Sequence, residues 1–191
     1  MRVGGVKSYC QISTDSLNLH NALPLATFFL KLNRDTDTRR HYRYMPFTNI
    51  FQFCLKYILF GFRTLMPRLA YNITGKSVIV TIAYSATENE ICGICHIDVL
   101  KRVGKLSGEL GIAILSKYSG QGIGRTILSE CLEKCSRIGI HTVLLNVDVD
   151  NYRAIKLYER FGFKVISRVH SDVKVFKSGG AEDEFQMELL I

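Results

Sequence analysis

Three glycines in the stretch "KYSGQGIGRTIL" (residues 117–128), at Gly120, Gly122 and Gly124, lead straight into an apolar-periodic segment. That is the pattern of a glycine-rich turn feeding a helix. Backbone N–H groups at a helix start lack intrahelical partners, and the helix dipole adds partial positive charge, so main chain alone can hold a phosphate. Glycine also removes the Cβ that would keep the phosphate away. The chemistry indicated is pyrophosphate binding over Ser119, Gly120, Gln121, Gly122, Ile123, Gly124, Arg125 and Thr126. Two other phosphate motifs fail on spacing. A dinucleotide fingerprint needs a third glycine where Arg125 stands, or where Ile127 stands if counted from Gly122. The "GKS" at residues 75–77 lacks the upstream glycine of a P-loop, because that position is Ala70. Taken alone, the glycines fit a plain strand-to-helix turn better than a phosphate site, so a second signal is needed.

That signal is "NYRAIKLYERFGF", residues 151–163, which places Asn151, Ala154, Tyr158, Gly162 and Phe163 in the pattern N-x-x-A-x-x-x-Y-x-x-x-G-F. With it the chain resembles the GNAT superfamily of acyl-coenzyme A N-acetyltransferases, whose coenzyme site reads Q/R-x-x-G-x-G/A. Gly122 and Gly124 match that site, while its opening Gln or Arg falls on Ser119. Arg125 is the expected source of the missing charge. The resemblance extends from about residue 78 to the C-terminus; before that it is one of layout only.

The resemblance implies acetyl-CoA as cosubstrate and direct transfer to a primary amine. It implies that the strand before the turn splays from its neighbour, freeing backbone N–H groups near Ile112, Ala113 and Ile114 for the acetyl carbonyl and pantetheine. It assigns Tyr158 the protonation of the coenzyme sulfur. An alkyl ammonium has a reference pKa near 10.4, so acetyl transfer needs a base at neutral pH. Glu109, on the strand before the turn, is the first candidate, and His96 on an earlier strand the second. His141 ranks below both, and the sequence leaves Glu109, His96 and water open. Asn151 suits a helix cap and equally a coenzyme contact.

The elements needed to position these groups can be read from periodicity. A strand at residues 8–13 precedes a helix at 16–32 capped by Asp15 or Ser16, and a second helical region covers 49–60. β-branched runs at 76–86 and 91–100 form an antiparallel hairpin, and 107–115 is a third strand. After the turn, Ile123, Ile127, Leu128, Cys131, Leu132, Cys135 and Ile138 recur at helical spacing, with Gly139 as C-cap. A buried strand at 141–149, a short helix ending at Gly162, and strands at 163–169 and 185–190 follow. The expected fold is α/β: a GNAT-like, mostly antiparallel sheet of about seven strands with about four helices on both faces. We read one domain over 1–191, with an acceptor side at 1–75 and a coenzyme-binding core at 76–191.

The whole chain has 191 residues and a formal net charge of +8. Residues 31–68 hold eight Lys or Arg against two Asp, so most of the excess sits there. This favours an acceptor with a carboxylate or phosphate, or a protein associated with a polyanion. An RNA- or ribosome-docked acetyltransferase and a non-catalytic acyl-CoA-binding regulator are the alternatives, with nucleic acid not favoured. Residues 47–66 approach membrane-spanning length but contain Asn49, Gln52, Lys56 and Arg63, which argues for an amphipathic helix, with a homodimer surface as a further expectation. No secretory h-region opens the chain, so a reduced cytoplasmic setting is expected. Cys92 and Cys95 lie three apart on a strand and face opposite ways, and Cys131 and Cys135 share an apolar helix face. Both pairs read as buried thiols, with no metal site.

Overall fold

The computed structural model describes residues 10–13, 22–35, 77–85, 88–102, 105–171 and 182–191. In chain order the elements are β1 (Cys10–Ser13), α1 (Ala22–Arg34), β2 (Ser77–Ser85), β3 (Glu90–Arg102), β4 (Lys105–Ile114), α2 (Ile123–Arg137), β5 (Ile140–Asp148), α3 (Tyr152–Arg160), β6 (Lys164–Ser171) and β7 (Glu182–Leu190). The strands form one seven-stranded sheet in the order β1-β2-β3-β4-β5-β7-β6. All neighbours are antiparallel except β4 and β5. Mixed α/β with a mostly antiparallel sheet is therefore what the chain adopts, with three α-helices among the described residues. The expected helix at 49–60 and the cap at Asp15 or Ser16 lie outside those residues.

The parallel β4–β5 pair requires a crossover, and α2 supplies it. Its buried residues Ile123, Ile127, Leu128, Cys131 and Cys135 carry most of the stripe read from the sequence, but Leu132 is only half-buried and Ile138, just past the helix end, is exposed. Ile127 and Leu128 are fully enclosed, each worth about 1.5–3 kcal/mol of burial. Lys134 extends from the same helix to β2, where its ammonium donates to the Val80 carbonyl at 3.1 Å and the Thr81 hydroxyl at 3.2 Å. Gly139, at φ +80°, follows the helix end as expected.

Cys92, Cys95, Cys131 and Cys135 are free and buried. Cys92 donates to the Ala83 carbonyl at 3.3 Å, whereas Cys95 lies beside Cys131 and Cys135 under α2. Among the described residues no three His, Cys, Asp or Glu converge as metal ligands, and no helix is long and apolar enough to cross a membrane.

Candidate active site

The parallel ladder between β4 and β5 stops at Glu109 and Leu144, although β4 continues to Ile114 and β5 to Asp148. Beyond Glu109, β4 is laddered to β3 alone. The strands part there around an open cleft of about 1130 Å³. Ile112, Ala113 and Ile114 line it, as do Asn146 and Asp148 from β5. Past Glu109 and Leu144 the two strands make no ladder to each other, so a ligand can enter between them.

The glycine turn closes one side of the cleft. Gly122 is the N-cap of α2 at φ +83°, with no side-chain cap, no acid in the first turn and nothing within 4 Å of where its Cβ would lie. That left-handed backbone favours glycine, and the space above it is open. Gly124 differs. It is buried, and a Cβ there would meet Ile114 Cδ1 at 3.0 Å and Leu157 Cδ2 at 3.3 Å. Its absent side chain lets α2 pack closely against β4 and α3, a packing role distinct from the phosphate approach read from the sequence. Ser119, Gly120, Ile123 and Arg125 also line the cleft. Gln121 and Thr126 do not: Gln121 donates to the Lys117 carbonyl at 3.3 Å, and Thr126 to the Gly122 carbonyl at 3.3 Å.

The turn is anchored from behind. Between β4 and the glycines, residues Ser116–Tyr118 form a single 3₁₀ turn. The Ser116 N–H donates to the Asp35 carboxylate at 2.7 Å, and the Tyr118 hydroxyl to Glu90 at 2.8 Å. Lys117 pairs with Glu88 at 2.6 Å and Glu90 at 2.5 Å, and Lys31 from α1 also pairs with Glu90.

Helix α3 forms the opposite wall. Asn151 caps it, accepting from the Ala154 N–H at 3.2 Å, and lines the cleft as well. Tyr158 is buried against Phe163 with ring centroids 5.7 Å apart, and it too lines the cleft. Burial, with a smaller contribution from Cys95, pushes its phenol well above the ordinary value, so the hydroxyl keeps its proton.

The strands give the cleft an acidic floor. Asp98 stands opposite Glu109 across β3–β4, and Asp148 opposite Glu184 across β5–β7. Glu109 neighbours Leu144 on β5, four residues before Asp148, so alternation puts all four carboxylates on one sheet face. Asp148 and Glu184 are 5% and 4% exposed. His96 is buried on that face too, whereas His141 is exposed at the start of β5 and outside the cleft. The basic lining comes from the helices: Arg125 on α2, and Arg153, Lys156 and Arg160 on α3. Of these carboxylates, the sequence reading singled out Glu109 alone. An acid inside the otherwise apolar run of β5 was the available signal for Asp148.

The family model described as the Acetyltransferase (GNAT) family matches residues 47–163. The chain belongs to that family. Across 79 residues this GNAT chain is 32% identical to N-alpha-acetyltransferase 30 of Saccharomyces cerevisiae, a match covering 41% of the chain and 44% of the yeast protein. It thus spans less than half the length of that relative. In fold it resembles a GNAT-family acetyltransferase from Streptococcus pneumoniae, with a TM-score of 0.73 at 21% identity over 95% of this chain and 99% of the other. It also resembles spermidine N-acetyltransferase from Vibrio cholerae, solved in complex with CoA and spermine, with a TM-score of 0.71 at 19% identity over 96% of each chain.

Proposed function

We propose that this GNAT protein transfers an acetyl group from acetyl-CoA to a primary amine, both bound at once, and that the acceptor is a cation beyond the reacting nitrogen. The observation carrying the reading is the parting of β4 from β5 between a glycine turn and a buried tyrosine. Open space over Gly122 and the unpaired N–H groups of the α2 start fit a pyrophosphate. The gap in the sheet fits an extended pantetheine arm.

When bound, acetyl-CoA supplies a thioester carbonyl open to attack by an amine. Glu109 is positioned in the cleft to take the proton that the ammonium must lose. N–H groups of β4 beyond Glu109, where the ladder to β5 has ended, stabilise the carbonyl oxygen as charge develops on it. Tyr158, held protonated by burial, donates a hydrogen bond to the departing sulfur.

The acceptor class follows from the floor. Asp98, Glu109, Asp148 and Glu184 all line the cleft from one sheet face, and a cationic acceptor complements that acidic lining. The basic segment that favoured an anionic acceptor lies mostly outside the described residues, and the described lining from the strands points the other way.

Thiol release in the presence of acetyl-CoA, screened over spermidine, a basic peptide with a free amino terminus and a neutral amino acid, tests this. The first two should be preferred, with KM rising as salt screens the carboxylates. Preference for the amino acid would overturn the acceptor class, and failure to bind acetyl-CoA would overturn the whole reading.

A further inference from the structure

The turn that faces the cleft carries no cation of its own: residues 119–122 are Ser119, Gly120, Gln121 and Gly122. The side chain attached to it comes from another element. Arg153, in the first turn of α3, donates from its guanidinium to the Ser119 hydroxyl, and both residues line the cleft. A guanidinium has five donors, so one bond to Ser119 leaves a fork of N–H groups for a ligand. Planar, permanently charged and bidentate, it suits phosphate oxygens better than an ammonium does.

Resting on the acetyl-CoA reading above, we infer that Arg153 is the side chain that reads the coenzyme's phosphates, lent to the turn from α3 across the cleft. The turn offers N–H groups and a dipole, and Arg153 adds the full positive charge. Because it is tied to Ser119, that charge is held beside the open N–H groups of the α2 start. Arg125 also lines the cleft, but it lies within α2 itself. Arg153 therefore makes the site prefer a phosphorylated thioester to the bare pantetheine thioester. It is a specificity-determining residue, separate from Glu109 and Tyr158.

The test compares binding of acetyl-CoA and S-acetylpantetheine, which has no phosphates, to the full chain by isothermal titration. Arg153→Ala should weaken acetyl-CoA about tenfold or more, the scale of a charge-assisted hydrogen bond, and leave S-acetylpantetheine unchanged. Arg153→Lys should lie between. Adding Ser119→Arg to Arg153→Ala moves a guanidinium onto the turn and should restore most of the affinity, which a merely structural role for Arg153 would not permit. Arg153 is exposed, so the variants should keep the wild-type melting temperature. Equal losses for both thioesters, or unchanged acetyl-CoA affinity in Arg153→Ala, would overturn the inference while leaving the acetyltransferase reading intact. A wild-type protein that binds no acetyl-CoA would remove both.

Discussion

The imidazole of His96 fills the space that a side chain on Gly111 would need: a Cβ there would stand 2.2 Å from His96 Cε1. The two residues face each other across β3–β4, so the missing Cβ of Gly111 sets where the histidine lies on the acidic face. Gly111→Ala should displace the ring and cost about 1–3 kcal/mol, as overpacking of a close-packed site does. Urea unfolding measures this; a loss below a few tenths of a kcal/mol would mean that the ring moves freely.

Gly122→Val should abolish acetyl-CoA binding in a folded protein. The valine meets a φ of +83°, which costs about 1–2 kcal/mol of backbone strain, and its branched side chain enters the open space over the α2 start. Titration with acetyl-CoA, alongside a melting curve, separates loss of the site from loss of the fold. Wild-type affinity would remove the phosphate role of this turn.

Tyr158→Phe should lower turnover about tenfold to a hundredfold while leaving acetyl-CoA affinity nearly unchanged. Because burial raises the phenol pKa, the wild-type rate should show no alkaline loss from this group up to about pH 10. An unchanged rate in the phenylalanine variant would end the assignment.

Glu109→Gln should slow the reaction most at the acid end of the pH profile, where removing a proton from the ammonium is hardest. Asp98→Asn is the control, since Asp98 faces Glu109 across the ladder and shares the acidic floor. Should both variants alter only KM for the acceptor, the carboxylates attract the substrate without acting as base.

Folding stability should decline as the solution becomes alkaline. Burial raises the thiols of Cys95 and Cys135 and the phenol of Tyr158 above their ordinary values. In the unfolded chain thiols ionise near 8.5 and the phenol near 10, whereas the native protein keeps these protons. The native state then binds more protons than the unfolded state, so stability is full below about pH 8.5 and falls as pH rises, more steeply beyond 10. Urea unfolding at several pH values reads the slope, and Cys95→Ala should flatten its first part. A flat profile from pH 7 to 10 would contradict the burial argument.

The β2–β3 hairpin, α2 and β5 were legible because one buried face imposes a period of 2 or 3.6 on the side chains, and Asn151 because a cap must sit at the helix start. Tyr158 was legible through motif position and Glu109 through its place on the strand before the glycine turn, and both line the cleft. What escaped depends on register. Nothing local in the sequence puts Asp98 opposite Glu109 or Asp148 opposite Glu184, because sheet pairing joins residues distant along the chain. Arg153 was hidden differently: it sits inside the Asn151 motif, yet its partner Ser119 lies 34 residues earlier. The packing role of Gly124 likewise needed Ile114 and Leu157 in view.

The placement of β7 between β5 and β6 bears on how the chain assembles as it is made. β6 is synthesised first, but it has no neighbour to pair with until β7 follows and adds to β5. Until then β5 presents an open edge, and Asp148 lacks the strand that carries Glu184. The floor of the cleft is thus completed only after the glycine turn, α2 and α3 have been made.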